Sequence, residues 1–193
     1  MNKRKISKEE ILNQAYRLFR TEGYDGVSVD AICMACGVTK PTFYRYIENK
    51  EAILTPFYDR VCEDILGHFS EDCQAETCYE QFHLFYRMVI EHSEELGPGV
   101  VAKMMSLNLT TDSHSFETRK ELTDIILGLI KKGQESGEFQ STESAQNLYN
   151  ACNFVFLGLE YKWSVKRGAV DWSGEFRRIT DGILQAKKRE RTE

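Results

Sequence analysis

The chain has 193 residues, 41% hydrophobic and 28% charged, enough apolar material for one medium domain or two small ones and too much for an intrinsically disordered chain. Three prolines and 13 glycines exclude collagen-like or Pro-rich material, and no apolar run approaches the ~20 residues that span a bilayer. The basic start, Met1 to Ser7, leads into Lys8-Glu9-Glu10 and not into an apolar stretch, so no signal peptide and no membrane partner is read, and a cytoplasmic protein is expected.

The net charge of −5 conceals an asymmetry: residues 1–50 carry nine basic and six acidic side chains, while the rest carry 16 and 24. A basic head on an acidic body is the pattern expected where only one end meets a polyanion.

In chain order, Ile11, Ala15, Leu18 and Phe19 form one stripe of an amphipathic helix over 8–21. Ser7 and Glu10 make a capping box at its start and Gly23 ends it. Ser28 caps a second helix that Gly37 stops, and Thr39 caps a third, Lys40 to Ile47, with Pro41 in its first turn. Asn49 caps a fourth, running from Lys50 to about Ser70. A helix from Cys78 is broken at Gly97-Pro98-Gly99, and an apolar segment runs Val100–Leu109. Then come a helix carrying Leu122, Ile125, Ile126 and Leu129, a long helix over 142–167, and a last one over Trp172–Lys188. No segment has the period-2 alternation of a strand and no internal repeat is visible, so the fold class is all-α. The expected domains are a three-helix head with a helix-turn-helix, residues 1–49, and a helical-bundle body, residues 50–193.

The second and third helices join through Cys36-Gly37-Val38-Thr39, the short Gly-containing turn that a helix-turn-helix requires. The second helix of such a unit enters the DNA major groove. Lys40 reaches guanine acceptors or phosphate, and Thr42 reaches a base edge or a thymine methyl. Tyr44 and Tyr46 donate to phosphate, and Arg45 and Lys50 neutralise it.

The run from Gly37-Val38-Thr39-Lys40-Pro41-Thr42-Phe43-Tyr44-Arg45-Tyr46 through Asn49-Lys50-Glu51-Ala52-Ile53-Leu54 resembles the signature of the TetR family of bacterial transcriptional regulators. The lead-in, Ala15 to Phe19, Gly23-Tyr24 and Val27 to Ile32, is similar too, so the resemblance covers about residues 8–54. It implies that Lys40, Pro41, Thr42 and Tyr44 face the bases or the groove, and that Ser28, Thr39, Tyr46 and Lys50 contact phosphates. Where the family has small alanines this chain has Cys33 and Cys36. Two cysteines on the inner face with no neighbouring histidine are read as core packing, since a structural zinc needs four ligands.

The long helix is apolar around nearly its whole circumference, so one face needs the core and another a partner. Leu157, Gly158 and Tyr161, with Phe176, Ile179 and Ile183 of the last helix, suit a symmetric four-helix homodimer contact, which the resemblance also implies. The pair of heads would then read a palindromic operator in double-stranded DNA, with half-sites ~34 Å or a multiple apart. The resemblance further implies an effector pocket in the body. Phe82, Phe85, Tyr86, Met104, Phe116 and Phe154 supply adaptable apolar surface, and Asn108 and Asn150 supply polar groups, for a small molecule of unknown identity.

No G-x-S-x-G, P-loop, Rossmann glycine set or H-E-x-x-H occurs, so no enzyme activity and no cofactor is expected. The histidines at 68, 83, 92 and 114 lack metal-site spacing, so no metal is expected. The leading expectation is a repressor released from its operator by a small molecule. The alternative is a thiol-responsive regulator using Cys62, Cys73, Cys78 or Cys152, read as thiols in a chain without an export signal.

Overall fold

A computed structural model describes residues 6–70, 77–110 and 119–187; Cys73, His114 and Phe116 lie outside the described residues. These hold nine α-helices: α1 (Lys8–Glu22), α2 (Val29–Cys36), α3 (Lys40–Tyr44), α4 (Thr55–Ser70), α5 (Cys78–Leu96), α6 (Pro98–Thr110), α7 (Lys120–Glu135), α8 (Ala145–Val165) and α9 (Trp172–Leu184). The only sheet-like feature among them is one antiparallel bridge, Phe139 to Ala186. The all-α class, with a helix-turn-helix at the N-terminal end and a helical body after it, is as the periodicity indicates.

Two compact units divide the chain: the described parts of 1–61 and 93–116 form one, and those of 62–92 and 117–193 the other. The division falls inside α4 and inside α5, whereas the sequence analysis draws its line at 49/50. The first unit is built on Ile11, Ala15, Phe19, Ile32, Phe43, Ile47 and Ile53, all essentially buried. Leu96 and Val100 complete this core, and Met104 and Leu107 pack against it, so α6 belongs with the head. Tyr16 on α1 donates its hydroxyl to the Ile53 carbonyl at 2.9 Å, and Arg60 on α4 donates to Asn13 on α1 at 2.9 Å.

The second unit centres on stacked aromatics. Phe82 and Tyr86 on α5 meet Phe176 on α9, with ring centroids 6.4 and 4.4 Å apart. Trp172 lies between Phe156 and Trp163 of α8, at 5.0 and 5.4 Å. The end of α9 is fastened by backbone bonds from Ser141 N–H to the Leu184 carbonyl and from Lys187 N–H to the Glu138 carbonyl, at 3.2 and 2.9 Å.

Several boundaries differ from the periodic reading. Asn49 does cap, accepting from Ala52 N–H at 2.8 Å, but only a 3-10 turn, Glu51–Ile53, follows. α4 begins at Thr55, which puts Pro56 in the first turn; a helix from Lys50 would bury that missing N–H in its interior. α8 begins three residues later than expected because Ser144 takes the N-cap and accepts from Asn147 N–H at 3.1 Å. α9 stops at Leu184 because Gln185 is left-handed, turning the chain into its bridge with Phe139.

Candidate nucleic-acid interface

The capping box of α1 is present: Ser7 Oγ accepts from Glu10 N–H at 3.1 Å and Glu10 Oε2 accepts from Ser7 N–H at 2.8 Å. Ser28 caps α2 and accepts from Ala31 N–H at 3.1 Å, which turns its hydroxyl to the helix end while leaving the residue exposed. Gly37 closes α2 at φ +64°, ψ 32°, the left-handed step that lets the chain reverse into α3.

α3 has five residues, too few to persist alone. Phe43, fully buried, anchors it, and burial on that scale contributes about 1.5–3 kcal/mol. With Phe43 inward, Lys40, Pro41, Tyr44 and Arg45 are exposed, Tyr44 at 50%, and Thr42 and Tyr46 are half-exposed. Thr39 stands at the N-cap but makes no side-chain cap; its hydroxyl pairs with that of Thr42 at 3.1 Å. The Arg45 guanidinium sits 5.0 Å over the Tyr46 ring.

Two side chains depart from a free phosphate-seeking arrangement. Lys50 folds inward, donating to the Tyr24 carbonyl with its ammonium 4.0 Å above the Tyr24 ring, and burial holds its pKa below the usual lysine value. Lys40 Nζ lies 2.9 Å from Asp30 Oδ2, and the hydrogen bond to that carboxylate raises the lysine pKa. Asp30 was not singled out from sequence. It is ten residues from Lys40, and only the folded turn brings them together.

Cys33 is buried and Cys36 packs beside it against the head core, as read from their inner-face positions. Burial raises both thiol pKa values. Cys36 also lines an open cavity of about 420 Å³ with Ile6, Glu10, Asn13, Gln14, Arg17 and Ala35, which no sequence pattern signals.

In the second unit, Phe82, Phe85 and Tyr86 come together, but as packed core. Met104 and Asn108 lie on α6 in the first unit. Asn150 is exposed and accepts from Gln146 Nε2 at 3.0 Å, and Phe154 is 72% exposed. Phe154, Gly158, Tyr161 and Val165 form one outward stripe on α8, with Leu157 half-exposed at its edge. Ile179 is exposed and Ile183 half-exposed on α9. Phe176 departs from that set: at 2% exposure it belongs to the core of its own protomer, stacked on Phe82. Cys62 and Cys152 are buried, and burial pushes the Cys152 thiol up to about 12; Cys78, half-buried, is raised by burial and then by the nearby Glu138. These surroundings work against the thiolate, the reactive form. No helix among the described residues is long and apolar enough to cross a membrane.

Comparison with known proteins converges on the same region. Residues 11–55 match the family model described as bacterial regulatory proteins, tetR family. The uncharacterized regulator YuxN of Bacillus subtilis is 32% identical over 89 residues, which span 44% of this chain and 31% of that protein. IcaR of Staphylococcus aureus, a negative regulator of the biofilm operon icaADBC, is 25% identical over 173 residues, 86% of this chain and 90% of that one. Among solved structures, FadR of Thermus thermophilus, a TetR-family repressor in complex with lauroyl-CoA, superposes with a TM-score of 0.63 at 20% identity, covering 97% of this chain and 98% of that one. The signature residues occupy a capped helix, a left-handed glycine turn and an outward-facing short helix, so residues 11–55 carry the N-terminal region that defines the TetR family of bacterial regulatory proteins.

Proposed function

We propose that this regulator is a repressor that binds a palindromic operator as a homodimer and leaves it when a small molecule binds the body. The observation that carries the reading is the outward face of α3. Lys40, Thr42, Tyr44 and Arg45 are presented together around one buried anchor, Phe43. Ser28, Thr39 and Tyr46 flank that face as phosphate contacts, and Pro41 fills its first turn against the groove. Lys50 joins them only after leaving the Tyr24 carbonyl. The similarity to a negative regulator along most of both chains supports repression over activation.

Pairing is supported by the apolar stripe of α8 and α9, which water covers in a single protomer. We assign it to a second copy of the chain, through Leu157, Gly158, Tyr161, Ile179 and Ile183. Residues 1–49 then supply DNA contacts and 50–193 supply pairing and the effector response. Phe82, Phe85 and Tyr86 are the effector contacts favoured within the aromatic centre, entering by repacking of that cluster. An effector that favours the DNA-incompetent state ~10²-fold supplies ~2.7 kcal/mol of bias.

The test is a gel-shift titration against a duplex selected by the native protein from a randomised pool. Lys40→Ala and Tyr44→Ala each weaken binding by about 1–3 kcal/mol with the dimer intact. Unchanged affinity in both variants overturns the reading of α3. Lauroyl-CoA is a rational first effector probe, since a solved neighbour holds it.

A further inference from the structure

A lysine is a compact charge on a flexible four-carbon stem, and left to itself it pairs with whichever phosphate is nearest. Such contacts strengthen binding to every sequence equally. Lys40 is not left to itself. Its Nζ is held 2.9 Å from Asp30 Oδ2, between the first turn of α2 and the first turn of α3. Both partners are exposed, at 51% and 71%, so the pair is open to competition from an incoming acceptor. The Thr39–Thr42 hydroxyl pair orders the adjacent position in the same way.

A carboxylate in the first turn of a helix has an ordinary explanation, since it complements the helix dipole. That explanation does not account for its contact with Lys40 at the start of the outward face of α3, nor for a negative charge where a polyanion must approach.

We propose that Asp30 is a specificity-determining positioning residue. It aims Lys40 at one place in the major groove, where guanine O6 and N7 accept the ammonium, and its own charge opposes approach to sequences that offer only phosphate there. This inference rests on the reading of α3 as the recognition helix. Non-specific complexes keep the carboxylate beside phosphates with no base contact in return. In the specific complex the lysine bridges carboxylate and guanine, and the carboxylate stays neutralised.

The experiment uses the full chain as native protein, Asp30→Asn, Lys40→Ala and the double variant. Each is titrated against the duplex selected by the native protein from a randomised pool and against a random duplex of equal length. Asp30→Asn is expected to tighten binding to the random duplex ~10-fold and to the selected duplex ~3-fold or less, so that discrimination falls. Reselection with Asp30→Asn relaxes the preference for guanine at the position that Lys40 reads. In the Lys40→Ala background, Asp30→Asn tightens both complexes by the same factor and leaves discrimination unchanged.

Equal tightening of both duplexes by Asp30→Asn in the native background, or the same loss of discrimination with Lys40 absent, overturns the positioning role. If Lys40→Ala and Tyr44→Ala leave the selected duplex bound as before, or no duplex is enriched, the reading of α3 fails and this inference fails with it. Lys40→Ala weakening with unaltered discrimination in Asp30→Asn sinks the inference alone.

Discussion

Glu160 and His83 are two half-buried groups of the second unit whose protonation the fold shifts in opposite senses, favouring it at Glu160 and opposing it at His83. Burial raises the Glu160 pKa from 4.5 to about 7. The folded protein therefore binds a proton more readily than the unfolded chain, so this contribution is full below pH 4.5 and is lost as pH rises through 7. His83 Nε2–H donates to the Asp181 carboxylate at 3.0 Å, yet burial outweighs that carboxylate and lowers the His83 pKa from 6.5 to about 4. Here the unfolded chain binds the proton more readily, so the contribution is full above pH 6.5 and is lost as pH falls through 4. Between about pH 4.5 and 6.5 the two slopes cancel. Glu160→Gln is expected to raise the melting temperature at pH 8, to change it little at pH 4, and to expose a rise in stability between pH 4 and 6.5. A pH series of thermal melts of both proteins checks this; equal melting temperatures at pH 8 would contradict it. At this scale the sequence is legible where the chemistry is local. Ser7 and Glu10 are three residues apart and bond as their spacing indicates, whereas Asp30 meets Lys40 only through the turn, and Lys50 turns inward because Tyr24 is folded beneath it.

At the scale of elements, helix identity follows from periodicity, and the boundaries that shift do so for local reasons: Pro56, Ser144 and Gln185 each set one end. α6 is the element whose role periodicity could not reveal. Its short apolar run looks the same whether it packs on the head or the body, and Val100, Met104 and Leu107 choose the head. One glycine marks a close approach. A Cβ on Gly133 of α7 would run into the buried ring of Phe139, whose backbone N–H bonds the Gly133 carbonyl at 2.9 Å. Gly133→Ala is therefore expected to cost about 1–3 kcal/mol by overpacking, read as a melting-temperature drop of roughly 2–4 °C per kcal/mol. An unshifted melt would mean that the Phe139 ring has room to move aside.

For the whole molecule, the outward apolar stripe of α8 and α9 has the largest consequence. Reading the long helix as apolar on all sides anticipates an apolar face outside the core, and Phe154 and Tyr161 are exposed at 72% and 63%. Phe176 and Ile179 are three residues apart on α9, and spacing alone does not say that Phe176 is buried with Trp172 and Leu184 while Ile179 is exposed. For the proposed homodimer, replacing Tyr161 by Glu is expected to leave the protomer folded and to give a monomer in sedimentation velocity. Operator affinity then falls by about 10²-fold or more as the two half-sites cease to be bound together. A dimer that survives Tyr161→Glu places the pairing surface elsewhere. Of the residues expected to line an effector pocket, Phe82, Phe85 and Tyr86 share a cluster while Met104 and Asn108 fall in the other unit, a separation that no local pattern in the sequence signals.

The two tryptophans, Trp163 and Trp172, stack 5.4 Å apart in the second unit, and the chain has no others. Tryptophan emission, excited selectively beyond the tyrosine band, therefore reports on that unit alone. A chemical denaturation followed by emission records the melting of one half of the molecule, and comparison with circular dichroism, which sees every helix, reveals whether the halves come apart together. The same indole pair offers a label-free gauge for screening small molecules against the unit that contains it.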